Sequence, residues 1–185
     1  PANPAQALAA LGMLIVMLGI ILASCGIKTQ PSFRSAKGIH GSTHFTLALP
    51  ISRLRLLATR VSLGAAELAA VTAATFAVAE LAAAQKFGGG APPTADLVRF
   101  AFLAFVYALA AHGVSTFAAT FLDPAWQIWV SAIVILVAQF LPDRLPALKG
   151  YSPLEISTLI QPFVTHSVPW GAVAVHLAAA AALIG

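Results

Sequence analysis

The stretch LVRFAFLAFVYALAAHGVSTFAATF, residues 97–121, decides how the chain must be read. Arg99 stands near its start and His112 inside it; no other Arg, Lys, His, Asp or Glu interrupts it. As a helix rising 1.5 Å per residue it would run about 37 Å. The hydrocarbon core of a bilayer is about 30 Å thick, so such a run is long enough to cross one. It shows no strict alternation of apolar and polar residues, and it is rich in Ala and Leu, so a β-barrel strand is excluded.

Four more apolar runs flank it: Ala7–Ile27, Val61–Ala84, Ala125–Leu141 and Trp170–Gly185. Only Glu67 and Glu80 interrupt the second of these. The whole chain agrees with this pattern. Of 185 residues 59% are hydrophobic and 9% charged, and mean hydropathy is +0.90. Soluble domains carry about 25% charged residues. Ten Lys and Arg with six Asp and Glu cannot supply a polar shell, which excludes a soluble globular domain and a disordered tail. The expected fold is all-α, a polytopic transmembrane bundle with five spans at about 7–27, 61–84, 97–121, 125–141 and 170–185, in a single domain. The single cysteine rules out a disulfide framework and a cysteine-based metal site. Leu22-Ala23-Ser24-Cys25 fits a lipoprotein cleavage box, but no basic segment precedes Ala7, so a helix end is the preferred reading.

The connections differ in kind. Residues 28–60 hold Lys28, Arg34, Lys37, Arg53, Arg55 and Arg60, and no Asp or Glu. The bias of Lys and Arg towards cytoplasmic loops places this segment inside the cell. The net charge of +4 then reflects cytoplasmic loops rather than nucleic-acid binding. Residues 85–96 contain Gly88-Gly89-Gly90 and Pro92-Pro93, a turn or flexible link. Leu122-Asp123-Pro124 reads as a tight reversal, and residues 142–169 as a proline-rich outer loop with a short amphipathic stretch at Leu154–Ile160.

No catalytic constellation is present. There is no Walker A loop, no His-Glu-x-x-His and no Gly-x-Ser-x-Gly. His40 and His44 stand four apart, but no carboxylate lies in their loop to complete a metal site. Inside the apolar runs, Glu67 and His112 are the polar groups that could line a pathway; the plainer alternatives are pairing with a base for Glu67 and an interhelical hydrogen bond for His112. Ala65, Ala69, Ala73 and Ala77 form a ladder of small residues, either an internal packing face or a dimer face.

Residues 38–67 read locally as two helices broken by a proline. Ser42 or Thr43 can cap a short helix ending at Leu49. Pro50 stops it, because proline has no N–H and clashes with the preceding turn. Ser52 can cap the next helix, which begins at Arg53. Taken as a block, Gly41-Ser42-Thr43-His44-Phe45-Thr46-Leu47-Ala48-Leu49-Pro50-Ile51-Ser52-Arg53-Leu54-Arg55-Leu56-Leu57-Ala58-Thr59-Arg60 resembles the loop after the second membrane helix in permease subunits of the ABC type-2 transporter family. Gly64-Ala65-Ala66-Glu67, the turn Asp123-Pro124-Ala125-Trp126 and Pro169-Trp170 resemble later landmarks of that family in the same order. Lys28, Arg34 and Lys37 depart from it, because many members carry acidic residues there.

The resemblance implies six spans, with the first missing from this chain and the last cut. It implies a bacterial inner-membrane exporter with a separate ATP-binding subunit that holds ATP and Mg, and a second permease half. The chain itself would bind no cofactor and catalyse nothing. The helix Ser42–Leu49 would be the coupling helix on the ATPase, with Thr43, Phe45, Leu47 and Pro50 as contacts and Arg53 and Arg55 behind them. The alternative is a membrane-embedded structural or assembly protein whose basic loop binds anionic lipid or an acidic partner.

Overall fold

The computed structural model describes residues 4–24, 52–87, 92–122, 124–145 and 162–184. Within them the chain is helical, without strands. Five helices carry the architecture: α1 (Pro4–Ser24), α2 (Arg53–Phe87), α3 (Thr94–Ala119), α4 (Pro124–Arg144) and α5 (Trp170–Ile184). A single helical turn at residues 162–165 precedes α5. Thr43, Phe45, Leu47, Pro50 and the amphipathic stretch Leu154–Ile160 lie outside the described residues.

Local chemistry sets the helix ends. The Ser52 Oγ accepts the Arg55 backbone N–H at 3.2 Å, satisfying one of the donors that a helix start leaves open. From there α2 runs unbroken past Arg60, so the expected span 61–84 is the inner part of a 35-residue helix. Pro124 occupies the first position of α4, where a missing N–H costs nothing. Before it, α3 closes with the Leu122 N–H donating to the Ala118 carbonyl at 2.9 Å; Asp123, in the expected reversal, lies outside the described residues. α4 continues through Pro142 to Arg144, three residues beyond the expected end at Leu141.

α3 is the axis of the bundle, and each of the other four helices packs on it. The contacts fix their directions. Gly12 of α1 faces Phe100, and Gly19 faces Ala108, so α1 and α3 run in parallel. Phe76 of α2 meets Phe100 with ring centroids 5.4 Å apart, while Gly64 faces His112, so α2 is antiparallel to α3. Trp170 and His176 of α5 meet Phe102 and Tyr107 in ascending order, which makes α5 parallel. Odd and even helices therefore alternate in direction. α1 ends and α2 begins at one end of the bundle, the lower; α3 and α5 begin at the other, the upper.

The core consists of Ile15, Val16 and Ile20 of α1, Leu68 and Phe76 of α2, Phe100, Leu103, Val106 and Tyr107 of α3, Ile135 of α4 and Val173 of α5. On α2 the inward ridge is Gly64, Leu68, Thr72 and Phe76. The alanine ladder is offset from it by one residue, and Ala69, Ala73 and Ala77 are exposed. Of its two readings, internal packing falls to the neighbouring ridge. The outward surface is apolar: Val78 and Leu81 are each 65% exposed, and Trp126 66%. Polar residues are inside instead, with Gln127 1% and Ser131 0% exposed. This reverses the usual polarity of a protein in water.

Among the described residues, two helices are long and apolar enough to cross a membrane, Leu57–Ala83 and Thr94–Ala119. The first is mostly exposed and the second mostly buried. Ala10–Ala23, Trp126–Ala138 and Trp170–Leu183 are shorter apolar helices.

Gly19 is the tightest point. A Cβ placed there would lie 2.4 Å from the backbone oxygen of Ala108. Gly12 is roomier, with the Phe100 ring tip 3.2 Å from such a Cβ. Gly19→Ala should therefore destabilise the bundle by about 1–3 kcal/mol, the range for overpacking. Gly12→Ala should cost less, because a ring edge can yield and a backbone cannot. Thermal unfolding of both variants in detergent checks this; equal midpoints would contradict the packing described.

Candidate functional site: a buried polar seam

Where α1, α2, α3 and α4 converge, the apolar core gives way to polar side chains. α3 presents His112 and Ser115 on successive turns of one side. The His112 Nδ1 lies 3.2 Å from the Gly19 carbonyl oxygen of α1. A carbonyl can only accept, so Nδ1 carries the proton and Nε2 of the neutral ring is left as an acceptor. The Ser115 hydroxyl donates to the Ile20 carbonyl at 3.1 Å. Gln127 of α4 donates through Nε2 to that hydroxyl at 2.9 Å. Three helices are thus joined by a relay from amide to hydroxyl to carbonyl, and each bond polarises the next.

The seam holds more hydrogen-bonding capacity than it uses. His112 Nε2, Thr116 Oγ1 and Ser131 Oγ are buried with no partner among the described residues. Each such group costs about 1–3 kcal/mol when desolvated and unpaired. His112 is also crowded by α2, since a Cβ on Gly64 would lie 2.7 Å from its Cε1. Gly64 therefore lets the imidazole sit between α1 and α2.

A second polar cluster closes the upper end. Asp96 is 1% exposed, in the first turn of α3. Its Oδ1 accepts from the Arg99 guanidinium at 2.6 Å and its Oδ2 lies 2.6 Å from the His166 Nδ1. Beside it, the Thr94 hydroxyl donates to the Glu80 carboxylate at 2.7 Å, joining α3 to α2. His176 of α5 is buried, its Nδ1 donating to the Ala172 carbonyl at 2.7 Å and its ring 4.5 Å from that of Tyr107.

The residues singled out in the sequence are dispersed. His112 is at the centre of the seam. Glu67 is on the exposed side of α2, away from the inward ridge. Arg53 opens α2, and Arg55 is exposed one turn from the lower end. Ser115, Gln127 and Ser131 were not anticipated, because isolated polar residues in apolar helices carry no spacing rule. The Asp96–Arg99 pair is legible as an i,i+3 arrangement. Its third member, His166, is 70 residues away and has no local signal.

Among the described residues no three His, Cys, Asp or Glu side chains gather as metal ligands. An open groove of about 480 Å³ between α1 and α2 is lined by Leu11, Ala74, Thr75, Val78, Ala79 and Ala82. Thr75, its one polar member, turns its hydroxyl to the Val71 carbonyl, so nothing in the groove orients a polar ligand. No protein-family model, curated protein or solved structure matches the chain.

The relay predicts energetic coupling between α3 and α4. In a double-mutant cycle of Ser115→Ala and Gln127→Leu, the two losses should fall short of additivity by about 1 kcal/mol, the scale of one hydrogen bond. Unfolding free energies of the four proteins measure it, and strict additivity would remove the relay.

Proposed function

We propose that the chain is the membrane-spanning permease subunit of an ATP-driven transporter of the ABC type-2 kind, an exporter working with a separate ATP-binding subunit and a second permease half. One observation carries the reading furthest. The polarity of the bundle is inverted, with an apolar exterior and a polar seam across its centre. Exposed apolar faces on α2 and α4 suit lipid, which neither hydrates them nor drives them together. Polar groups that hydrocarbon would penalise are turned towards one another instead.

Alternating helix directions support five crossings of a bacterial inner membrane. The short apolar core of α4, Trp126–Ala138, would then need neighbouring protein or thinning of the bilayer at its ends. The lower end would face the cytoplasm, because the acid-free segment 28–60 joins α1 to α2 there. That segment carries the resemblance to the family's coupling helix. A capped helix projecting from a proline elbow can transmit a rigid push from an ATPase, which a floppy loop cannot. Thr43, Phe45, Leu47 and Pro50 would make the contact, with Arg53 and Arg55 next to it where α2 begins. His112 and its neighbours would lie on the internal path. Glu67 would face lipid or the second permease half.

Phe45→Asp tests the reading. The variant should insert into the membrane as the parent does, and ATP-driven transport should be lost while the partner's ATP hydrolysis continues. Unchanged ATP-driven transport would sink the assignment. Co-purification separates it from a structural or assembly role: a stable complex with an ATP-binding protein supports the permease, whereas binding to anionic lipid alone supports the alternative.

A further inference from the structure

Arg60, Glu67 and Glu80 are the acidic and basic residues in the membrane-length part of α2, Leu57–Ala83. Glu80 is partnered, its carboxylate accepting the Thr94 hydroxyl at 2.7 Å. Glu67 is exposed and has no hydrogen bond or ion pair among the described residues. It stands about 15 Å from the start of that part, a depth at which an outward face meets hydrocarbon. A carboxylate there is costly without a counter-charge.

Glu67 also belongs to a stripe. Val71, Ala74, Val78 and Ala82 follow it at helical spacing along one side of α2. Ala74, Val78 and Ala82 form the α2 wall of the open groove of about 480 Å³, opposite Leu11 of α1. The inward ridge of Leu68 and Phe76 lies on another side. The unpartnered carboxylate is therefore on the groove's own side of the helix, about 10 Å below Ala74, with the exposed Val71 between them.

We propose that this flank of α2 is a binding site for a lipid-soluble cation, its charged head against Glu67 and its apolar body lying upward in the groove. The chemistry of the flank selects the occupant. Ligand sites are mostly apolar concavities of about 300–1,000 Å³ in which a few polar groups set the orientation. The groove has that size and those walls, and Glu67 is the orienting group. The Thr75 hydroxyl, turned to the Val71 carbonyl, adds no competing contact. A neutral lipid chain would fill the groove and leave the carboxylate without a counter-charge, and an anionic one would be repelled. A second copy docked through the same flank about a two-fold axis would bring its own Glu67 to the interface, like charge against like. The inference rests on the membrane placement of α2 and not on coupling to an ATPase, so binding is read without ATP.

The test uses the full chain in phosphatidylcholine nanodiscs. It is given an alkyltrimethylammonium with a nitroxide on its chain, or phosphatidylcholine labelled at the same chain depth. The motionally restricted fraction of each spectrum reports association. The cation should be preferred by about fivefold, the upper end for an exposed ion pair. Glu67→Gln should abolish the preference; the site is exposed, and the α-helical circular dichroism signal checks that the fold is kept. Val78→Phe, which fills the groove and leaves the carboxylate, should weaken cation binding with Glu67 in place. Equal restriction of the two labels in the parent would overturn the proposal in favour of ordinary lipid. A preference that survives Glu67→Gln would overturn it, because another group would then be responsible. Unchanged binding in Val78→Phe would remove the groove from the site. Exclusion of both labels, with cross-linking of two chains through α2, would give the flank to a second copy instead.

Discussion

Everything in this bundle depends on the backbone of α1 touching the backbone of α3 at Gly19. Without a side chain there, the two helices approach until the position a Cβ would take is 2.4 Å from the Ala108 oxygen. That approach brings the carbonyls of Gly19 and Ile20 within reach of His112 and Ser115. Those carbonyls become acceptors for a second helix, and Ser115 in turn accepts from α4. In an apolar surrounding, packing and a few such hydrogen bonds are what hold helices together, because burying apolar surface yields little there. A single missing Cβ thus precedes the polar relay, and the relay precedes the placement of α4.

The gross architecture was legible because composition leaves few choices. Apolar runs of helical length, broken by Gly and Pro clusters, specify helices and their order. The boundaries were less legible. The start of α2 was an exception: Ser52 as cap and Arg53 as first residue were read from the sequence, and the helix runs on through Arg60 as expected. Pro142 suggests a stop, yet α4 tolerates it within its last turn. The alanine ladder left two readings open, and the internal one goes to the neighbouring ridge for a related reason. In a helix so rich in alanine every face contains small residues, and the ridge that packs is the one carrying Leu68 and Phe76. Of the candidate site, His112 was visible as a polar residue deep in an apolar run. Its neighbours on α1 were invisible, because backbone carbonyls have no letter in a sequence. The six candidate contacts for an ATPase rest on their motif and on the place of that segment at the lower end.

The two polar clusters divide the labour of the fold. The seam is buried, uncharged and shared by four helices, so it can specify their register without the desolvation penalty of a charge. The upper cluster is ionic and reaches the surface through His166. It joins the last helix to the axis and sits apart from the relay.

The length of α2 has a mechanical consequence. At 35 residues it measures about 52 Å, well beyond a hydrocarbon core of about 30 Å. A tight contact with the axis, Gly64 against His112, is not at its middle. The contact divides the rod into arms of about 16 Å below and about 34 Å above. Should the helix rock on that fulcrum, a displacement at its lower tip is about doubled, and reversed in sense, at its upper tip near Phe87.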